Sequence, residues 1–243
     1  MKVLILAAGV ASRLKPLTEN TPKCLLKVGD KSILERTIDN LVKNNISEVI
    51  VVTGFLKEKI EEYLTLNYPN ISFTFIYNEI YDSTNNIYSL WLAKKYLLGY
   101  EMLLLDSDIV FDSRIIGQLL SSRYDNCLSL RSTKKLGKEE IKCVLNKDGS
   151  IKEIGKTMDP KDAVGESIGI EKFSKELVLR LFTILDRKIL DEKEVNVFYE
   201  AAFQEALDNG AKIFPVDVEN YKCMEIDTKE DFKTAVSVVN NMS

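Results

Sequence analysis

The stretch Leu6-Ala-Ala-Gly-Val-Ala-Ser-Arg-Leu-Lys-Pro-Leu-Thr-Glu-Asn-Thr-Pro-Lys23 decides how the rest of the chain is read. An apolar run from Val3 to Ala8, short enough for a buried strand, leads into small residues and a turn carrying Ser12, Arg13 and Lys15. A phosphate site can be built in this way. Small residues let the backbone approach an anion, successive N–H groups point at it, and nearby cations neutralise it. From Ser12 to Lys31 there are five cations (Arg13, Lys15, Lys23, Lys27, Lys31) against two anions (Glu19, Asp30), in a chain of net charge −4. There is no GxGxxG or GxxxxGK[ST], and a strand, a Gly turn and a few lysines also make an ordinary solvated loop, so both readings stand on these features alone.

Around this stretch, 243 residues with 45% hydrophobic and 29% charged content suit a soluble globular protein with a sizeable core. A pI near 5.2, with no basic stripe beyond the loop, argues against a nucleic-acid partner. No apolar run approaches the ~18 residues of a membrane span, and no membrane partner is expected. The absence of histidine removes the usual general base, the usual zinc ligand and any Ser-His or Cys-His dyad. Cys24, Cys127, Cys143 and Cys223 are scattered without a CxxC and read as reduced thiols in a cytoplasmic protein.

After Lys23, Ser32 and Glu35 form a capping box, and Ile33, Leu34, Ile38, Leu41 and Val42 share one face of a helix over about 33–44. The β-branched run Glu48 to Thr53 predicts a strand buried on both faces, followed by a helix from Lys57 to Leu66 and an alternating strand from Ile71 to Tyr77. Ser83 or Thr84 is the expected cap of a helix to about Leu98, and Glu101 to Asp106 is a fourth buried strand. Strands alternating with helices predict βαβ units, a parallel sheet and a ligand beyond the carboxyl ends of its strands. Later come short strands at 127–132, 141–145 and 151–156, a Gly-interrupted strand at 165–173, helices at 174–187 and 195–209, strands at 212–216 and 223–226, and a helix capped by Thr228 to about Asn240. No repeat or linker interrupts this order. One domain over 1–243 is expected, with a nucleotide-binding part to about residue 125 and an acceptor-binding part from about 126.

Asp106-Ser-Asp108 stands where a parallel strand ends, a natural place for a Mg²⁺ carboxylate, with Asp227 as partner after a second strand. An Asp in such a position also serves as a helix cap. The longer string is more specific: LAAG, SR three residues on, PLT, then PK with Lys23 ten residues after Arg13 resembles the signature of the nucleotidylyltransferases. Ala11 stands where that family usually has Gly, which disfavours a positive φ there. Thr84-Asn-Asn-Ile-Tyr-Ser-Leu, Gly165-Glu-Ser-Ile-Gly-Ile and Phe198-Tyr-Glu-Ala-Ala-Phe resemble the branch that transfers CMP to phosphocholine, phosphoethanolamine or an aminoalkylphosphonate.

The resemblance implies a Rossmann-like α/β fold with a mixed, mostly parallel central sheet and a small acceptor-binding lobe. It implies Mg²⁺ on Asp108 and Asp227, with Asp106, a poorer match, on the nucleotide side. Lys23 is placed at the α-phosphate, Arg13 at the β and γ phosphates, and Leu6, Ala7, Ala8, Gly9, Ser12, Asn85 and Asn86 around the nucleotide. For a cationic acceptor head group, Glu166, Glu200, Tyr88 and Tyr199 supply carboxylates or aromatic faces. An acceptor phosphate, with its second pKa about 6, is already an anion and needs no protein base. The expected partners are CTP and a small phosphorylated or phosphonate acceptor, with a homodimer left open. The alternatives are a sugar 1-phosphate nucleotidylyltransferase and a non-catalytic nucleotide-binding regulatory protein.

Overall fold

A computed structural model describes residues 1–132, 136–137 and 139–239. The strands in chain order are β1 (Lys2–Ala7), β2 (Lys27–Val28), β3 (Lys31–Ser32), β4 (Glu48–Thr53), β5 (Ser72–Tyr77), β6 (Met102–Asp106), β7 (Ile109–Phe111), β8 (Cys127–Arg131), β9 (Ile141–Leu145), β10 (Ile151–Gly155), β11 (Gly165–Phe173), β12 (Phe214–Asp217) and β13 (Cys223–Glu225). The helices are α1 (Ile33–Lys43), α2 (Lys57–Asn67), α3 (Asn86–Leu92), α4 (Lys94–Leu97), α5 (Arg114–Ser121), α6 (Lys175–Asp186), α7 (Glu200–Asp208) and α8 (Lys229–Val239).

The first strand sets the frame. Leu4 and Leu6 point into one apolar cluster, and Val3, Ile5 and Ala7 into another, so β1 is covered on both faces as its unbroken apolar run requires. Helices α1, α2 and α5 close the second cluster through Leu34, Ile38, Ile60, Leu64, Ile115 and Leu119. Helices α3, α6 and α7 close the first through Ile87, Leu90, Leu181 and Phe203. The main sheet runs β10-β9-β11-β6-β1-β4-β5, with β8 paired to β11 and β12 beside β8. Strands β6, β1, β4 and β5 are parallel, whereas β11 pairs antiparallel with β6, β8 and β9. The later strands therefore extend the same mixed sheet.

β11 joins the two regimes. Its register with β8 shifts between Ser167 and Glu171, and the irregularity contains Gly169 at φ 71°. A Cβ on Gly169 would stand 2.6 Å from a carboxylate oxygen of Asp106, so this position has no room for a side chain.

The local signals explain most elements. Ser32 accepts from the N–H of Glu35, and the Glu35 side chain accepts from that of Ser32, completing the capping box of α1. Thr228 accepts from the N–H of Asp231 at 3.1 Å and starts α8, whose expected end at Asn240 lies outside the described residues. The expected cap of α3 is corrected. The hydroxyls of Ser83 and Thr84 turn back to the carbonyl of Ile80, and the side chain of Asn85 caps instead by accepting from the N–H of Asn86. The helix expected from Val195 starts only at Glu200, because the carbonyl of Val195 accepts from the N–H of Asn85 and the N–H of Tyr199 donates to Asn86 Oδ1. These tertiary bonds hold 195–199 against the start of α3. All four cysteines are free and buried. Among the described residues no helix is long and apolar enough to cross a membrane.

Candidate functional site

A cavity of about 340 Å³ opens beyond the carboxyl ends of β1 and β6, where the parallel half of the sheet meets β11. One wall is the loop after β1, with Leu6, Ala7, Ala8, Gly9, Ala11 and Arg13. Gly54, closing β4, packs so tightly on this loop that a Cβ would lie 2.5 Å from the carbonyl oxygen of Ala8. Ala11 adopts φ 51° and ψ 51°, the left-handed conformation disfavoured for a residue with a Cβ. Its carbonyl accepts from the Thr18 hydroxyl at 2.9 Å and from the N–H of Leu14 at 3.1 Å, and Leu14 is fully buried. Tertiary contacts thus impose the turn for which glycine is the easier residue.

The loop's cations meet carboxylates from two distant segments. Lys23 Nζ donates to Asp108 Oδ2 at 2.8 Å and to Asp227 Oδ1 at 2.6 Å, and Arg13 donates to Asp227 Oδ2 at 2.6 Å. Burial works against the Lys23 ammonium, but Asp108 and Asp227 outweigh it and hold its pKa above the ordinary value. Burial likewise opposes ionisation of Asp227, and Lys23 and Arg13 override it, so its pKa falls below the usual value. Asp108, Asp227 and Glu225 each place one oxygen within 4.8 Å of the others. Burial, reinforced by the two aspartates, pushes Glu225 up to about 8.

Asn85 and Asn86 line the cavity beside Asn78. Asn78 is 1% exposed and donates to the hydroxyls of Thr84 at 3.0 Å and Ser89 at 3.2 Å, which pins the start of α3. The far end is formed by Asp106, Ser167, Gly169, Lys156, Phe198 and Glu200. Asp106 accepts from the Tyr199 hydroxyl at 2.9 Å, and burial, then Asp108 and Glu171, raise its pKa well above the carboxylate range. Glu200 is 7% exposed, and burial pushes it up to about 7. The Lys156 ammonium lies 4.4 Å over the ring of Phe198 and 3.6 Å from Glu139.

The family model for nucleotidyl transferases matches residues 2–126. The chain belongs to the nucleotidyl transferase family. The CTP:phosphoglutamine cytidylyltransferase of Campylobacter jejuni is 31% identical over 257 aligned positions, covering 97% of this chain and 99% of that protein. The choline-phosphate cytidylyltransferase of Streptococcus pneumoniae is 26% identical, covering 99% of each. These relatives fall in the cytidylyltransferase branch that the 84–90, 165–170 and 198–203 segments resemble. Among solved structures, the inositol-1-phosphate CTP transferase of T. maritima superposes with a TM-score of 0.80 at 18% identity over 100% of this chain and 97% of the other, which shows the shared fold.

Within this nucleotidyl transferase frame, the structure gathers Leu6, Ala7, Ala8, Gly9, Arg13, Lys23, Asn85, Asn86, Asp106, Asp108, Glu200 and Asp227 around one cavity. Four expected site residues stand elsewhere. Ser12 is exposed and only opens the short turn that carries Arg13 inward. Tyr88 packs near Trp91, with ring centroids 5.4 Å apart, because two residues of helix turn it away from the face that carries Asn86. Glu166 pairs with Arg131 on β8, whose Nε donates to it at 2.7 Å, since it precedes Ser167 and points to the other side of β11. Tyr199 is fully buried against Phe203 and presents no aromatic face.

Among the lining residues that the sequence reading did not select are Ser167, Glu225, Lys156 and Asn78. Glu225 is two residues before Asp227 on an extended strand and shares its side, a spacing that could have been noticed. Lys156 directly follows β10, and Asn78 directly follows β5, so both stand at strand ends.

Proposed function

We propose that the protein transfers CMP from CTP to a phosphorylated amino alcohol or an aminoalkylphosphonate and releases pyrophosphate in a Mg²⁺-dependent reaction. The observation that carries the reading is one continuous cavity with the loop's cations and the Asp108, Glu225 and Asp227 oxygens at one end and a buried, acidic acceptor end at the other. The relatives' names support the nucleotide and the acceptor class: one takes phosphoglutamine, another choline phosphate, and a third, 30% identical over half of this chain, makes CMP-5'-(3-aminopropyl)phosphonate.

The donor set fits Mg²⁺, because all three groups offer oxygen and Asp108 Oδ1 is buried without a hydrogen-bond partner. Asp108, Glu225 and Asp227 would hold the ion, which when bound neutralises charge on the reacting phosphates. The protein's own groups do the rest. The loop backbone from Ala8 to Gly9 approaches the triphosphate, Arg13 faces the phosphates that leave, and Lys23 faces the α-phosphate. Lys156 supplies the cation for the acceptor phosphate. Asn86, with its amide oxygen taken by the N–H of Tyr199, has its amide N–H groups for the acceptor atoms of cytosine.

An oxygen of the acceptor phosphate, or phosphonate, forms a bond to the α-phosphorus. The bond between that phosphorus and the oxygen bridging to the β-phosphate breaks, and pyrophosphate leaves with the electron pair. No side chain has to accept a proton, which suits a chain without histidine. All four cysteines are free and buried, and the proposed setting is the reducing cytoplasm.

The test is pyrophosphate release over a panel of nucleoside triphosphates and acceptors, with and without a chelator. CTP with phosphoethanolamine, phosphocholine or 2-aminoethylphosphonate is expected to turn over and to stop when Mg²⁺ is chelated. Turnover confined to sugar 1-phosphates, or undiminished by the chelator, contradicts the proposal.

A further inference from the structure

At the acceptor end, three carboxylates accumulate with no ion-paired cation among the described residues; Lys156 lines the same end and acts on Glu200 through space, but its ion pair is with Glu139. Glu200, at the first position of α7, has its Oε2 buried and without a hydrogen-bond partner. Behind it Glu171, 1% exposed, accepts from the Ser167 hydroxyl at 3.3 Å through Oε1, while its Oε2 is also buried and unpartnered. Asp106 lines the same end and receives only the Tyr199 hydroxyl. Among the described residues no lysine or arginine forms an ion pair with any of the three, in contrast to Asp108 and Asp227. A buried carboxyl oxygen left without a hydrogen-bond donor is costly to the fold, and Glu200 Oε2 and Glu171 Oε2 point to a ligand that brings N–H donors on a cation. They are not gathered closely enough to hold a metal ion; the oxygens that are belong to Asp108, Glu225 and Asp227.

The kind of cation follows from what is and is not at hand. A trimethylammonium group has no N–H to donate and is recognised by aromatic faces. The described aromatic residues that line the cavity are Tyr81 and Phe198. Tyr81 stands by Gly54 and Ala8 at the nucleotide end, and the Phe198 ring is covered by the Lys156 ammonium. Tyr199 is buried in the core, and Tyr88, half-buried, packs against it beside Trp91 and does not line the cavity. A primary ammonium carries three N–H donors and needs lone pairs at short range, which Glu200 Oε2 and the Ser167 hydroxyl provide.

Building on the amino-alcohol reading above, the geometry points to an acceptor that ends in a primary ammonium, held by Glu200 and by Ser167 backed by Glu171, with a quaternary ammonium disfavoured. Glu200 and Ser167 are thus the residues that set acceptor specificity, and each N-methyl group on the ammonium removes a donor that the pocket is arranged to receive.

Steady-state kinetics at saturating CTP over phosphoethanolamine and its N-methyl, N,N-dimethyl and N,N,N-trimethyl (phosphocholine) derivatives test this. kcat/KM is expected to fall with each methyl, by at least about 10-fold across the series and mainly through KM. A flat or rising series overturns the inference while leaving the cytidylyltransferase reading in place. Turnover of sugar 1-phosphates alone overturns both. Glu200→Gln is expected to flatten the series by raising KM for phosphoethanolamine, with CTP affinity by calorimetry unchanged. Full retention of the preference by E200Q, in a variant that still binds CTP, removes Glu200 from the assignment.

Discussion

At the loop end of the cavity Lys23 lies between Asp108 and Asp227, with Arg13 on Asp227 as well, whereas at the acceptor end no lysine or arginine among the described residues forms an ion pair with Asp106, Glu171 or Glu200. Both ends are built from carboxylates at strand or helix termini. They differ in what balances the charge. The loop carries its own cations, and against burial Lys23 and Arg13 hold the pKa of Asp227 below its usual value. At the other end burial pushes Glu200 up to about 7, and burial and then Glu200 raise Glu171 further from its ordinary range. The contrast teaches that one end pairs its carboxylates with cations of the chain, whereas at the other no described lysine or arginine forms an ion pair with them and Lys156 pairs with Glu139 instead.

The most severe way to break this contrast is to remove the cation shared by the loop end. Lys23→Ala is expected to lower turnover at least ~100-fold while circular dichroism and gel filtration still report a folded protein. Near-normal pyrophosphate release would take Lys23 out of the reaction.

Stability against pH separates cation-paired from unpaired carboxylates, in opposite directions. Asp227, whose pKa is lowered in the fold, contributes stability above its unfolded pKa that is lost as the pH falls through the folded one. Glu200 and Glu225, raised from 4.5 to about 7 and about 8, contribute stability below pH 4.5 that is lost as the pH rises through those values. Without nucleotide or metal, Tm is therefore expected to decline from about pH 5 to pH 8, with Glu200→Gln removing part of the slope, on the order of a few degrees. A Tm that climbs over this window, or an identical slope in E200Q, would show that the acceptor end is not short of positive charge.

The smallest effect concerns the loop backbone itself. Since Ala11 holds φ 51°, Ala11→Gly is expected to stabilise the protein by roughly 1 kcal/mol, about 2–4 °C in Tm by calorimetry. A lower Tm would mean that the methyl's packing on Leu14 outweighs the backbone strain.

Much of this was legible along the chain because its causes are local. The two-faced burial of β1 follows from an unbroken apolar run, α1 from the Ser32 and Glu35 capping box, and α8 from Thr228. The loop's cations and the pair Asp108 and Asp227 were also readable, since each follows a recognisable strand. The acceptor end was not. Glu166 and Glu200 look equivalent in sequence, yet one residue of strand alternation sends Glu166 to Arg131, while the start of α7 aims Glu200 into the cavity. Tyr199 was expected to offer an aromatic face to a cationic head group. Bonds from Asn85 and Asn86, more than a hundred residues earlier, hold 195–199 out of a helix and turn the ring into the core.

The sequence by itself determined the parallel half of the sheet, the anion-handling loop and the two aspartates opposite it, because hydrophobic period, caps and strand ends are properties of neighbouring residues. Only the tertiary structure decided that Glu225 joins those aspartates, that Ala11 must turn left-handed, and that Glu200 is buried with no ion pair to a described lysine or arginine. Those outcomes depend on the register of β11, on its irregularity at Gly169 and on contacts between segments far apart in the chain, none of which a local pattern encodes.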